Sequence, residues 1–526
     1  MEDINQYMPL SNDWNKERLE TLKTMFPDLF TSEGKLNADE FKKLIDPQSI
    51  NETERYEFRW FGKSQAKRNA FTPSNATLVY DEKRSLNPEA AENLIIEGEN
   101  LEVLKLLSGA YREKVKCIYI DPPYNTGKDF VYSDNFSQNI KGYWEDAGIT
   151  EDGVKIDTNT ETDGRYHSNW LNMMYSRLLV ARQLLKEEGV IFISIDNHEI
   201  HNLRKLCDEV FGEENLIGQI TNINNPKGRS DDKFLATSHE YVLVYAKNKL
   251  ETVWFGFEPA ENILDRYNKT DENGNVYREI DLRKTGDNDR KEDRPNLFYY
   301  FLFNADTQEF YPTREDSIPD GFIQIFPSRE DEVLGNWRWG IDTATKDISK
   351  LMPKYMTVRK KWGVFEKDHL DSDRVVKPIS SWNFKDVNSE RGSEKFIELG
   401  FAKEIFPKPK PIGLITRIST LALSKNDILL DFFGGSGSTG HAISELNKAD
   451  GGNRKYILIQ IPELTDEKSE AFKAGYTKIS DITIERNKRV IERILEEKKT
   501  QQLSIFKEGQ DDKGLGFKVF KLTKSK

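Results

Sequence analysis

The sequence predicts a doubly wound, Rossmann-like α/β domain interrupted by a long insert. Three observations carry that expectation. The apolar run Cys117-Ile118-Tyr119-Ile120 reads as a buried strand and stops at Asp121-Pro122-Pro123-Tyr124. A second strand, Asn426 to Asp431, leads into Phe432-Phe433-Gly434-Gly435-Ser436-Gly437-Ser438-Thr439-Gly440 and then a helix-like segment, His441 to Asn447. The two strand-ending aspartates stand 310 positions apart (431 − 121 = 310), with polar, loosely patterned sequence between them.

Residues 1–75 form a charged segment with helical patterns at Lys16 to Met25 and Ala38 to Ile45. Arg55 to Trp60 alternates like a strand. Gly62-Lys63-Ser64 looks like the end of a phosphate-binding loop, but the first glycine of that motif falls on Glu57, which excludes it. ATP-driven work is therefore assigned to a partner. The next segment, Asn93 to Leu107, reads as a short strand, a turn at Gly98 and a helix, with Asn100 as its expected cap.

The two prolines of the 121–124 string cannot donate to a ladder, so they end the strand abruptly. A carboxylate, a carbonyl and an aromatic ring are thereby held at a strand's C-terminal edge, where ligands bind in open α/β sheets. The exocyclic amine of a nucleobase is a poor nucleophile because its lone pair is delocalised. Two acceptors aimed at its N–H bonds draw the nitrogen toward a reactive, tetrahedral form. Asp121 and the Pro122 carbonyl are such a pair, and Tyr124 is suited to stack on a base that has left its helix. The bland alternative is an ordinary strand-ending turn.

His167 to Leu185 has the spacing of a long helix with a core-facing stripe. Gly189 is expected to cap it, ahead of an apolar strand from Val190 to Ile195. His198 and His201 follow without the further ligands a metal would need, so no metal is expected. Residues 215–375 are read as a separate recognition module. Within them Lys227 and Arg229 sit in a basic, glycine-containing stretch suited to a phosphate backbone, and Trp337 is placed to stack or reach a groove. A solvated loop and a hydrophobic anchor are the competing readings.

Phe406-Pro407-Lys408-Pro409-Lys410-Pro411 precedes an amphipathic run, Ile412 to Leu423. In the loop after Asp431, glycines let a ligand approach the backbone closely. Gly435, Gly437 and Gly440 also fit a dinucleotide fingerprint, so an NAD enzyme is a rival. That fingerprint wants an acid about 20 positions on. Gln460 stands at the end of the next strand, Lys455 to Ile461, and Glu463 just beyond it, which leaves the choice open. Glu463 to Lys499 reads as charged helix and Gly514 to Leu522 as a strand, within a tail from 501 to 526.

The chain has 526 residues, 37% hydrophobic and 32% charged, enough for two or three domains with a highly charged surface. Its start lacks the basic-then-apolar pattern of a secretory signal, and its two cysteines read as buried thiols, so the cytoplasm is expected. A net charge of −12 argues against a simple basic DNA binder, though a local Lys/Arg patch would suffice.

The stretch Asp121 to Phe136, DPPYNTGKDFVYSDNF, resembles the catalytic motif of amino-directed DNA methyltransferases. Within them it resembles the modification (Mod) subunits of type III restriction-modification systems, as do WLNMMYSRLLVARQLL and GVIFISIDNHE. Catalytic motif first and cofactor loop second is the order of the beta class. The resemblance spans roughly residues 55–525. It implies a methyltransferase domain built from 76–214 and 376–500, with a target recognition domain, 215–375, between them. It implies S-adenosyl-L-methionine as cofactor, held by Asp121, Pro122, Asp431, Phe432, Phe433, Gly434, Gly435, Gly437 and Thr439, with Gln460 where the family has a ribose-gripping acid. Glu99 and Asn100 fall where the family approaches the cofactor. Asp121, Pro122, Pro123 and Tyr124 would be catalytic, with Phe130, Tyr132 and Phe136 lining the target-base pocket. An initial Asp is more like the adenine-N6 enzymes than the cytosine-N4 ones. Duplex DNA, a homodimer and a helicase–nuclease restriction subunit are the implied partners, and a longer C-terminus is expected. Three alternatives remain: a stand-alone methyltransferase, a cytosine-N4 enzyme, or a non-catalytic DNA-recognition subunit. An NAD enzyme leaves Asp121–Tyr124 without a role.

Overall fold

Short apolar runs, buried on both sides, organise the fold. In the computed structural model the described residues are 14–30, 36–37, 57–126, 166–230, 232–329, 333–371, 374–504 and 514–524. They divide into two units, Met1–Arg59 and Trp60–Lys526. In the first, helix α1 (Trp14–Met25) matches the expected pattern, while Ala38 to Ile45 lies outside the described residues.

The second unit is built on a sheet to which ten strands belong among the described residues. They are β1 (Ala76–Leu86), β2 (Leu94–Glu97), β3 (Val115–Ile120), β4 (Leu185–Ile195), β5 (Leu216–Asn222), β6 (Glu240–Ala246), and, past the insert, β14 (Ser381–Trp382), β15 (Ile428–Asp431), β16 (Lys455–Gln460) and β17 (Phe517–Lys524). Their order is β1-β17-β2-β16-β15-β3-β4-β6-β5-β14. The central strands β17, β2, β16, β15, β3 and β4 run parallel, whereas β1 and β6 pair antiparallel. Every residue of β3 is buried, as expected of a parallel strand covered on both faces.

Helices α2 (Lys63–Phe71), α3 (Asn100–Tyr111), α4 (Tyr166–Leu184) and α5 (Ile200–Phe211) pack in sequence against one another. A second group follows the insert: α6 (Ser389–Ile397), α7 (Ile412–Ala422), α8 (Ser438–Asp450) and α9 (Ile479–Ser504). Cys117 and Tyr119 share a core with Ile415, Ile418 and Ile482 from the second group. Because strand side chains alternate, Ile118 and Ile120 face the other way. The chain leaves β3 through α4 toward β4 on one side and leaves β15 through α8 toward β16 on the other. Leu430 pairs with Ile118, so Asp431 and Asp121 end neighbouring strands at this switch point.

The insert builds two smaller sheets. One has β10 (Phe310–Thr313), β9 (Tyr300–Asn304) and β11 (Phe322–Ile325). The other has β12 (Leu351–Met356), β13 (Lys361–His369), β8 (Val276–Asp281) and β7 (Lys269–Thr270). They share an aromatic core that includes Tyr299, Phe301, Phe303 and Trp337.

Several expected boundaries move. β5 and β6 lie within 215–375 yet extend the large sheet, because β6 pairs with β4 along six residues. The tail is part of the sheet too, since β17 inserts between β1 and β2. Gly189 is not a helix cap: α4 ends at Leu184 and Gly189 lies inside β4, where a Cβ would stand 2.8 Å from the Lys186 carbonyl. Residues Glu57 to Trp60 carry no strand.

Candidate functional site: a strand-end carboxylate beside a glycine loop

The Asp121–Tyr124 string leaves the sheet at the end of β3 and is fixed from below. Trp170 Nε1 on α4 donates to the Pro123 carbonyl at 2.7 Å, which sets the direction of the neighbouring peptide groups. Asn125 is fully buried with φ +59°, a left-handed conformation that asparagine tolerates better than most residues. Its side chain donates to buried Glu199 at 2.6 Å, and Glu199 also bonds His167 and Asn202.

Above this base four side chains meet. The Tyr124 hydroxyl donates toward Asp121 Oδ1 at 2.9 Å and lies 3.1 Å from Glu240 Oε2. Lys410 Nζ lies 2.6 Å from the Tyr124 hydroxyl, 2.7 Å from Glu240 and 3.2 Å from Asp121. The ammonium also sits 5.0 Å from the centre of the Tyr124 ring. Burial and the Glu240 charge hold the Asp121 carboxyl above the usual carboxylate range, while Lys410 opposes them. Desolvation by itself would lower the lysine, but the two carboxylates leave it raised. The site is therefore an anionic acceptor set under the control of one cation.

The glycine loop is equally determined. Asp431 is 3% exposed; it accepts from Phe433 N–H at 3.0 Å and from Thr439 Oγ1 at 2.6 Å, and burial pushes its pKa up to about 7. Gly434 N–H bonds the Ile459 carbonyl and Gly437 N–H closes back on Gly434. Asn100 Nδ2 donates to the Phe432 carbonyl at 2.9 Å, with buried Arg177 behind it. Glu99, not Asn100, caps α3, accepting from Leu101 and Glu102 N–H.

With this geometry in place, the match to a family model for DNA methylases over residues 115–496 covers both motifs and the insert. The chain belongs to the DNA methylase family. The type III restriction-modification enzyme EcoPI Mod subunit of Escherichia phage P1 is 34% identical over 486 residues, which is 91% of this chain and 75% of that protein. The EcoP15I Mod subunit of Escherichia coli is 32% identical over 496 residues, 90% of this chain and 75% of that one. The type II methyltransferase M.KpnI of Klebsiella pneumoniae is 32% identical over 414 residues, 78% of this chain and 91% of that protein. The methylase is thus a DNA methyltransferase dependent on S-adenosylmethionine, of the type III modification kind.

The methylase loop fits that cofactor. At Gly435, φ is +51°, the residue is partly exposed, and a Cβ would make only ordinary contacts, 3.7 Å from the Phe433 carbonyl and 3.9 Å from the Phe406 ring. Gln460 is engaged by the loop: its Oε1 accepts from Gly435 N–H at 2.7 Å and its Nε2 donates one of its two hydrogens to the Ile461 carbonyl. Glu463, three residues on, has a carboxyl pushed up to about 7 by burial, and no group among the described residues donates to it.

The predicted DNA contacts fare differently. Phe130, Tyr132 and Phe136 lie outside the described residues. Lys227 and Arg229 are exposed, Lys227 facing Glu390 at 3.8 Å. Trp337 is a correction: it is 1% exposed, donates to the Tyr299 carbonyl at 2.8 Å and packs on Tyr299 and Phe301, so it cannot stack on a base. His198 bonds Asp196, and no metal-ligating cluster occurs among the described residues. Sequence reasoning missed Glu240 and Lys410. The only hint was a lysine between prolines just ahead of α7.

Proposed function

We propose that the chain methylates adenine N6 in duplex DNA at a specific sequence, as the modification and recognition subunit of a type III system. The carrying observation is the placement of Asp121 and the Pro122 carbonyl at the carboxyl end of β3, next to the glycine loop at the end of β15. S-adenosylmethionine, when bound, supplies a methyl group on a sulfonium. Asp121 and Pro122 accept the two N–H bonds of the amine and raise its nucleophilicity. The target base must leave the stack to reach them, and Tyr124 gives it a ring to lie on. Displacement at the methyl carbon is in line, so fixing the amine supplies most of the rate. Asp431, Phe432, Phe433, Gly434, Gly435, Gly437 and Thr439 form the cofactor loop, and Glu463 rather than Gln460 takes the ribose hydroxyls. The insert reads the sequence, with Lys227 and Arg229 on phosphates.

We further propose a homodimer, working in the cytoplasm with a helicase–nuclease restriction subunit. The names of the EcoPI and EcoP15I relatives support that partner. Among the described residues no helix is long and apolar enough to cross a membrane. A stand-alone methyltransferase is the second reading, favoured by the similarity to M.KpnI over 91% of that enzyme.

Single-molecule sequencing of DNA from cells expressing the chain tests the reaction. N6-methyladenine at one short, non-palindromic sequence, lost in Asp121→Ala, is expected. N4-methylcytosine, or full methylation by Asp121→Ala, would overturn the assignment. Co-purification with a restriction subunit separates the two readings.

A further inference from the structure

Arg486, on α9, is fully buried directly behind the cofactor loop. Its Nη1 donates to Ser436 Oγ at 2.8 Å and to Ser438 Oγ at 2.6 Å. Nη2 and Nε lie 3.2 and 3.4 Å from His441 Nδ1. His441 is itself fully buried, and desolvation with the neighbouring guanidinium charges holds its pKa well below the ordinary value, so it accepts as a neutral ring. None of these partners is a carboxylate. Burial lowers the guanidinium only to about 9, so it stays charged at neutral pH. A buried cation without a counterion is costly unless an anion completes it.

The serines indicate where that anion lies. Both hydroxyl oxygens accept from Arg486, so each must aim its own hydrogen elsewhere. The two oxygens are 3.3 Å apart, so one hydroxyl can satisfy the other. At least one hydrogen is left to donate outward. Ser436 and Ser438 flank Gly437, the N-cap of the thirteen-residue helix α8, whose first N–H groups add positive potential at the same place. Ser436 and Ser438 are buried in the loop, 4% and 6% exposed.

We propose that Arg486 is a positioning residue for the cofactor: it orients the Ser436 and Ser438 hydroxyls toward the methionine carboxylate and provides the charge that carboxylate balances. The inference rests on the S-adenosylmethionine reading given above. Its signature is selectivity for a carboxylate-bearing ligand, which a purely structural arginine would not create.

The test is calorimetric titration of the full chain with two probes. S-adenosylhomocysteine carries the amino-acid tail with its carboxylate, and 5′-methylthioadenosine lacks that tail. Arg486→Met should weaken S-adenosylhomocysteine by about 10- to 100-fold, the loss of two oriented hydroxyl donors and of the balancing charge, and leave 5′-methylthioadenosine nearly unchanged. Ser436→Ala/Ser438→Ala should show the same selective loss while keeping the guanidinium charge; because Arg486 loses two acceptors, thermal unfolding checks that the variant is folded, which covers the case of a misfolded Arg486→Met. Equal weakening of both probes, or of neither, in the folded serine variant would overturn the inference while leaving the cofactor reading intact. Wild-type protein that binds neither probe would overturn both.

Discussion

Lys410 donates a hydrogen bond to the Tyr124 hydroxyl at 2.6 Å, across 286 positions of sequence. The contact joins the segment that follows β3 to the segment that precedes α7. It also ties the ring that would carry the flipped base to the cation that governs Asp121. Because the same ammonium reaches Glu240 and Asp121, the proposed amine acceptor and the proposed stacking ring share one anchor.

Removing that cation should shift the pH dependence of methyl transfer. In the proposed reaction Asp121 works as a carboxylate, and burial already holds its pKa above the ordinary value, with Lys410 opposing the rise. Activity is therefore present above the folded pKa and falls as pH drops through it. Lys410→Met deletes the opposing influence, so the acid limb of kcat should move to higher pH. The rate at neutral pH should fall by roughly 10- to 100-fold. Lys410→Arg should restore much of both. Radiolabelled methyl transfer to an oligonucleotide across a pH series reads this directly, and an unmoved acid limb in Lys410→Met would contradict it.

Asp431 titrates in the opposite sense for stability. Its folded pKa is about 7 against an ordinary 3.8, so folding favours the protonated form. The sign follows from linkage: stability is fullest below about 3.8 and is lost as pH rises through about 7. Asp431→Asn cannot ionise. Between those limits the wild type should lose up to a few kcal/mol relative to Asp431→Asn, on top of a constant offset of about 1 kcal/mol from altered hydrogen bonding to Phe433 and Thr439. Urea midpoints measured at intervals across the range give the difference; parallel curves would mean that Asp431 is not held neutral.

Two loop glycines should fail in different ways. At Gly437, φ is +80° and a Cβ would lie 2.4 Å from Asn487 Nδ2 and 2.9 Å from the Thr483 carbonyl. Gly437→Ala combines left-handed strain with overpacking and should cost roughly 2–5 kcal/mol. At Gly435 the added methyl meets nothing protein-borne closer than 3.7 Å. Gly435→Ala should cost only about 1–2 kcal/mol in stability, from its left-handed backbone. Its methyl would nevertheless add bulk at the partly exposed turn of the loop and weaken S-adenosylhomocysteine binding. Thermal unfolding and calorimetry on the same two proteins separate the effects, and a Gly435→Ala variant that binds normally would remove Gly435 from the cofactor surface.

Legibility in the sequence followed the range of the interaction. Asp121–Tyr124 and the 432–440 loop were readable because strand, prolines and glycines dictate their shape locally. The alternation of Gly514 to Leu522 announced a strand, but nothing local says that it inserts between β1 and β2. Lys410 and Glu240 were hidden for the same reason. One sits in a proline-rich run that resembles a linker, the other heads an apolar strand, and only closure of the sheet brings them together. Gln460 stood at the right place for the ribose, but whether its amide is free depends on a bond to Gly435, which the sequence does not display. Trp337 shows the converse: a tryptophan beside Arg338 suggests a nucleic-acid contact, whereas the insert needs its ring as core.

That last distinction gives a test of the recognition module. Trp337 is buried against Tyr299 and Phe301, so Trp337→Ala should destabilise the insert by about 3–5 kcal/mol. Trp337→Leu, where it stays folded, should bind DNA normally, which a base-stacking tryptophan would not permit. Lys227 and Arg229 are exposed, and alanine at both should change stability by less than about 0.5 kcal/mol. If both contact phosphates, the slope of log K against log salt should become shallower by about 2, equally for cognate and unrelated duplexes. Fluorescence anisotropy over a salt series measures that slope. An unchanged slope would place the phosphate-binding surface elsewhere on the insert, and a loss confined to the cognate duplex would make these residues base readers instead.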